Sequence, residues 1–153
     1  MKSLVWRSLR AGEVGAIFVL VLSGIGATGV APSQSELKTM YERATRELEA
    51  GHYNEALRQL DAIDARQPDL AVSQNLRGVT LMREGQYEKA EAVLRKAREI
   101  EPEFLDSRFN LAEVAFLKKN WAEARNQFEA LLASSSGELE ERMARLIQYK
   151  ILL

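Results

Sequence analysis

Residues 71–104 read AVSQNLRGVTLMREGQYEKAEAVLRKAREIEPEF, and this stretch decides how the rest of the chain is read. It sets a small residue, Gly78, ahead of a second glycine, Gly85, and an aromatic, Tyr87; Ala90, Leu94, Ala97 and Pro102 follow. Moving 34 residues in either direction meets the same classes again. Tyr87 becomes Tyr53 upstream and Trp121 downstream, Ala90 becomes Ala56 and Ala124, Leu94 becomes Leu60 and Phe128, and Gly78 becomes Ala44 and Ala112. Gly51 and Pro68 match Gly85 and Pro102 in the upstream copy. A period of this length marks stacked supersecondary units rather than one continuous core.

Each unit is expected to be a helical hairpin. Ala44, Gly78 and Ala112 are small where the first helix must approach the second, and Ala56, Ala90 and Ala124 occupy the facing side. Gly51 and Gly85 follow apolar-periodic segments and suit the left-handed conformation that closes a helix C-terminus. The third copy has Lys119-Asn120 there, and Asn120 is expected to take that role at higher cost. Each aromatic is expected to wedge into its hairpin where the second helix starts. Pro68 and Pro102 lie past the apolar pattern of the second helices and stop them. Ser33 and Glu36 have capping-box spacing, which starts the first helix just after Pro32.

This pattern resembles the tetratricopeptide repeat (TPR) family, whose helix-turn-helix unit has the same length and the same order of small, aromatic, alanine, bulky apolar and proline positions. The resemblance covers residues 37–70, 71–104 and 105–138 as three units, after a linker and helix cap at 32–36. It implies an all-α fold, a right-handed superhelical α-solenoid. The third unit departs from the pattern at Leu131, where Ala97 predicts alanine, and at Ser136, where proline is expected. Met40, Gln74 and Arg108 stand where the family has tryptophan. Because one hairpin cannot bury its apolar face alone, the end of the stack needs a cover. Residues 139–153 supply a capping helix, with Leu139, Met143, Leu146, Ile147 and Ile151 at helical spacing. Ser136-Gly137 reads as the break before it, and Ser134-Ser135-Ser136 as a linker by composition. The apolar finish Ile151-Leu152-Leu153 is either a packed, frayed end, or one that meets a partner or the membrane.

The resemblance also implies a concave surface lined by the first helices, which in the family takes peptide segments of partner proteins. Its groove positions fall on Lys38, Tyr41, Thr45 and Glu49, on Asn75, Val79, Met82 and Arg83, and on Phe109, Asn110, Glu113 and Phe116. Val79, Met82, Phe109 and Phe116 are equally readable as inter-helix core. The clamp that binds the C-terminal carboxylate of heat-shock chaperones in one branch is absent: its places carry Tyr41, Thr45, Leu76, Asp106 and Asn110. The groove therefore suits an apolar-anchored peptide.

The first 31 residues are of another kind. Lys2, Arg7 and Arg10 precede the apolar run from Val14 to Leu22, and small residues continue to Ala31. This is the layout of a secretory signal peptide, with cleavage preferred after Ala27; the uncharged stretch from Val14 to Ser35 also fits an uncleaved membrane anchor. Either way the basic flank stays cytoplasmic and the repeats lie outside, periplasmic or secreted, with membrane contact through this segment.

Composition bounds the chemistry. The chain of 153 residues has 21 Lys plus Arg against 22 Asp plus Glu, which does not describe a nucleic-acid binder. It has no cysteine and one histidine, His52, so neither thiolate zinc sites nor multi-histidine metal sites can be built. No phosphate cradle or nucleophile–base spacing appears, and no cofactor or metal is expected. His52 reads as a cap for the second helix, and Asp61 with Asp64 as a solvated face. The reading is a non-catalytic interaction module with a protein or peptide partner; the alternative is a structural subunit, or a self-associating chain, docking through its C-terminal helix.

Overall fold

The capping box forms as the sequence expects. The Ser33 Oγ accepts the Glu36 N–H at 3.2 Å, and the Glu36 carboxylate accepts the Ser33 N–H at 2.8 Å. These bonds from Ser33 hold the Glu36 carboxyl below its ordinary pKa. From this cap the computed structural model describes residues 32–134 and 141–152, the latter with side chains from 146 onward. Three antiparallel pairs follow: α1 (Gln34–Glu49) with α2 (Tyr53–Arg66), α3 (Ala71–Arg83) with α4 (Tyr87–Ile100), and α5 (Leu105–Leu117) with α6 (Trp121–Ser134). A last helix, α7 (Glu141–Leu152), packs on α6. The described residues form an all-α solenoid.

The three hairpin turns share one backbone motif. Gly51 and Gly85 take φ of 79° and 82°, and their N–H groups donate to Leu48 and Met82, while the next residues donate to Glu47 and Leu81. These paired bonds satisfy the orphan carbonyls at the helix end. In the third turn the left-handed residue is Lys119, φ 63°, not Asn120. Lys119 donates to Phe116 and Asn120 to Ala115, so the motif counts two residues back from the aromatic and fixes the left-handed place whatever side chain stands there. Past the second helices, Pro68 and Pro102 lie two residues beyond Arg66 and Ile100, where they cannot continue the helix.

Three apolar clusters join successive hairpins. Ala44, Leu60, Ile63 and Leu76 bind the first to the second; Leu81, Ala90, Leu94, Leu111 and Val114 the second to the third. Ala112, Ala115, Ala124, Phe128, Leu131 and Ile147 bind the third to α7. Gly78 is small for a sharper reason than a close approach to Ala90. A Cβ there would stand 2.4 Å from Cγ of the fully buried Leu94.

Several sequence expectations are corrected. Asp64 is not a solvated carboxylate: it accepts bonds from Ser73 at 2.7 Å, Gln74 at 3.1 Å and Arg77 at 2.9 Å, while Asp61 pairs with the same Arg77 at 2.8 Å. The second helix of one unit is thereby tied to the first helix of the next. His52 precedes α2 but makes no side-chain cap; its Nδ1 lies 2.9 Å from the Glu47 carboxylate. Tyr53 and Tyr87 are half-buried wedges, whereas Trp121 is 55% exposed and sits edge-on to Phe116, ring centroids 5.1 Å apart. Ser134 ends α6 and its Oγ accepts from Arg108 at 2.6 Å, so it is not linker. On α7, Ile147 is buried and Ile151 packs beside it, but Leu146 faces outward. The side chains of Leu139 and Met143, Ser136 with Gly137, and the whole segment 1–31 lie outside the described residues. Among the described residues no helix is long and apolar enough to cross a membrane.

Removing the Asp64 carboxylate tests the tie between hairpins. Asp64→Ala leaves the buried Ser73 and Gln74 without an acceptor and Arg77 with Asp61 alone. A stability loss of about 2 kcal/mol is expected, measured by urea denaturation against Asp61→Ala, whose exposed carboxylate contributes under about 1 kcal/mol. Equal losses in the two variants would contradict it.

Candidate partner-binding groove

Which face of the stack is concave follows from which helices touch. Among the described residues α1 packs on α3 and α3 on α5, whereas α2, α4 and α6 make no contact with one another. The hairpins are therefore wedges, closer together on the side of their first helices, and that side curves inward. Curvature created by a small rotation per repeat is how such arrays make a binding surface.

Along α1 this inner surface carries half-buried Tyr41 and Thr45, the Thr45 hydroxyl donating to the Tyr41 carbonyl at 3.0 Å. Burial, and then the negative charge of Asp106, push the Tyr41 phenol above its ordinary pKa. The charge of Asp106 on the third hairpin thus bears on Tyr41 of the first. Asp106 itself is exposed, and partial desolvation raises its carboxyl pKa. Asn110 of α5 donates from Nδ2 to Oδ1 of Asn75 on α3 at 2.9 Å, joining the second and third hairpins.

The structure divides the sequence-derived groove set. Tyr41, Thr45, Asn75, Val79, Phe109 and Asn110 lie on the inner helices, Asn75 only 7% exposed and the rest half-buried. Phe109 also serves the core, its ring 5.7 Å from that of Phe128. Met82 packs against the second cluster and counts as core. Lys38, Glu49 and Arg83 are exposed, Lys38 reaching Glu42 at 3.9 Å. Glu113 and Phe116 are already occupied: Lys150 of α7 lies 3.2 Å from the Glu113 carboxylate and 4.1 Å over the Phe116 ring. The closing helix therefore shuts the groove at its third-hairpin end. Sequence reading missed Val72, an aliphatic residue left 41% exposed on the first turn of α3. Its signal was available, since it is the second residue of its unit, in register with Lys38 and Asp106.

Lys118, at the C-terminal end of α5, reaches Glu91 at 2.8 Å, tying the third hairpin to the second. The bonds from Lys118 and Arg95 hold the Glu91 carboxyl below its ordinary pKa, and the bond to Glu91 raises that of Lys118.

Two overlapping tetratricopeptide repeat profiles match this chain, at residues 41–103 and 81–147. The chain belongs to the tetratricopeptide repeat family. Among solved structures, this TPR chain is similar to the type III secretion translocator chaperone SycD of Yersinia enterocolitica. They share 17% identity with a TM-score of 0.73, covering 78% of this chain and 90% of that one. SycD in complex with a peptide of the translocator YopD gives a TM-score of 0.70 at 17% identity, over 78% of this chain and 92% of that one. The TPR2B domain of yeast Sti1, solved as a complex with pHsp70, gives 0.69 at 18% identity, over 76% and 93%. At these identities the likeness is one of fold. No curated protein matches the chain.

Proposed function

We propose that this TPR chain is a non-catalytic interaction module that takes a peptide segment of a partner protein in the groove of α1, α3 and α5. One observation carries the reading: the concave side exposes Val72 among half-buried Tyr41, Val79 and Phe109, with amide and carboxylate groups interleaved. Apolar anchors with a few convergent polar groups are what an extended peptide needs. SycD and the Sti1 domain, whose fold it shares, have been solved with a YopD peptide and with pHsp70. Export belongs to the proposal, supported by the basic flank, apolar run and small residues of 1–31, whether that segment is cleaved or kept as an anchor.

A photo-crosslinking residue at 72, compared with one at the exposed Glu99 on α4, tests the groove in cells. Defined partner adducts are expected from 72 and not from 99. Val72→Glu should lower partner capture at least tenfold, because a charge in the centre of an apolar contact is desolvated without a partner. Its stability should change by under about 0.5 kcal/mol, as at other exposed positions. Adducts of equal yield from both positions would refute the groove reading. Self-association is a second reading, favoured by Leu146, Tyr149 and Leu152, exposed at 44%, 60% and 83% on α7. A monomeric mass by light scattering at high concentration removes it.

A further inference from the structure

The geometry points to a partner peptide that carries a lysine or arginine, whose cationic group enters between Asp106 and Tyr41 while an apolar side chain covers Val72. This inference rests on the groove reading and specifies its ligand.

Among the groove carboxylates, Glu49 ends α1 and is exposed to solvent. Glu42 is paired with Lys38, and Glu113 with Lys150. Among the described residues Asp106 has no ion-pair or hydrogen-bond partner, although it lies on the inner face in the first turn of α5. The one unpaired groove cation, Arg83, ends α3. It stands 11 residues further along its unit than Asp106 does in the next, about 16 Å of helix at 1.5 Å per residue. Among the described residues no cation pairs with Asp106.

The ionised carboxylate has no countercharge among the described residues, and partial desolvation opposes its charge. A guanidinium or ammonium group there would face the carboxylate and the ring of Tyr41 together, adding a charge-assisted bond to a cation–π contact. An acidic peptide or a free C-terminal carboxylate would instead meet like charge. The amide pair supplies main-chain recognition: Asn110 spends one N–H on Asn75, which leaves the Nδ2 of Asn75 as donor and the Oδ1 of Asn110 as acceptor for an extended backbone.

Two measurements test it. Asp106→Asn should raise the midpoint of thermal unfolding at pH 7. The sign follows from the raised pKa: the native state holds this proton more tightly than the unfolded chain, so the ionised carboxylate opposes folding above its native pKa. The gain should close as pH falls through the carboxylate range; a loss at pH 7 would show that Asp106 has an internal stabilising role and overturn the inference. In the second, a phage-displayed library of random dodecapeptides is selected on the full chain and on Asp106→Lys. The full chain should enrich peptides with a basic residue at fixed spacing from an apolar one, and Asp106→Lys should replace that basic residue by an acidic one. The best basic peptide should bind Asp106→Asn about tenfold more weakly by fluorescence anisotropy, and its norleucine analogue should bind wild type and Asp106→Asn alike. Peptides enriched without a basic position, or one consensus for both proteins, would overturn the inference and leave the groove standing. No enrichment on the full chain would overturn the groove reading itself. Should Asp106→Lys lose its helicity, the Asp106→Asn comparison decides alone.

Discussion

Phe128→Ala is expected to cost about 3–5 kcal/mol and to unfold one end of the stack before the other. The ring is fully buried among Ala112, Ala115, Ala124, Leu131 and Ile147, against Phe109. Its neighbours include three alanines, too short to collapse into the space left, so the cavity term adds to the lost transfer free energy. The loss is local because each repeat touches only its neighbours. Ile147 shares the cluster, so α7 loses its seat with α6, and Lys150 leaves Glu113 and Phe116 at the closed end of the groove. Native-state hydrogen exchange reads this directly. Amides of α6 and α7 should lose protection first, while α2 and α3, held by Leu60, Ile63 and the Asp64 bonds, keep theirs. Protection lost evenly from all helices would mean that the array is one cooperative core.

How far the sequence discloses this structure depends on whether a feature repeats. The hairpin pattern, the breaks at Gly51 and Gly85 and the capping box are legible because backbone demands recur with the period, and glycine or serine advertises them. The third turn shows the limit. Lys119 occupies the left-handed place that glycine marks elsewhere, and reading residue type in preference to position led to Asn120. Asp64 was missed because its partners lie nine to thirteen residues on, across an inter-repeat contact that no local spacing encodes. In the groove, register identified which positions face inward but not which are already spent. Glu113 and Phe116 look available until α7 brings Lys150 over them, and Met82 until the second cluster closes on it. Asp106 is the reverse case: its position was visible, and its lack of a partner is a fact of three dimensions.

Leu94 and Gly78 give the second large effect, and its sign should reverse with background. Leu94→Ala alone is expected to cost about 2–4 kcal/mol, since the side chain is fully buried between α3 and α4. Gly78→Ala alone sets two terms in opposition. Alanine is the better helix former by about 1 kcal/mol, and Gly78 lies within α3 with no left-handed requirement. Against this, the new methyl would stand 2.4 Å and 2.6 Å from Cγ and Cδ2 of Leu94, and moving a buried leucine costs about 1–3 kcal/mol. A net loss of about 1 kcal/mol is expected. With Leu94 cut to alanine the obstructing atoms are gone. Gly78→Ala then keeps its helical gain and fills part of the cavity, so the double variant should be about 1 kcal/mol more stable than Leu94→Ala. The coupling, about 2 kcal/mol, is of the size that residues in direct contact show. Additive losses in urea denaturation would mean that something other than Leu94 holds position 78 to glycine. A reversal would show that this glycine answers to a single side chain of the facing helix, and that the period preserves a pair of shapes rather than one small residue.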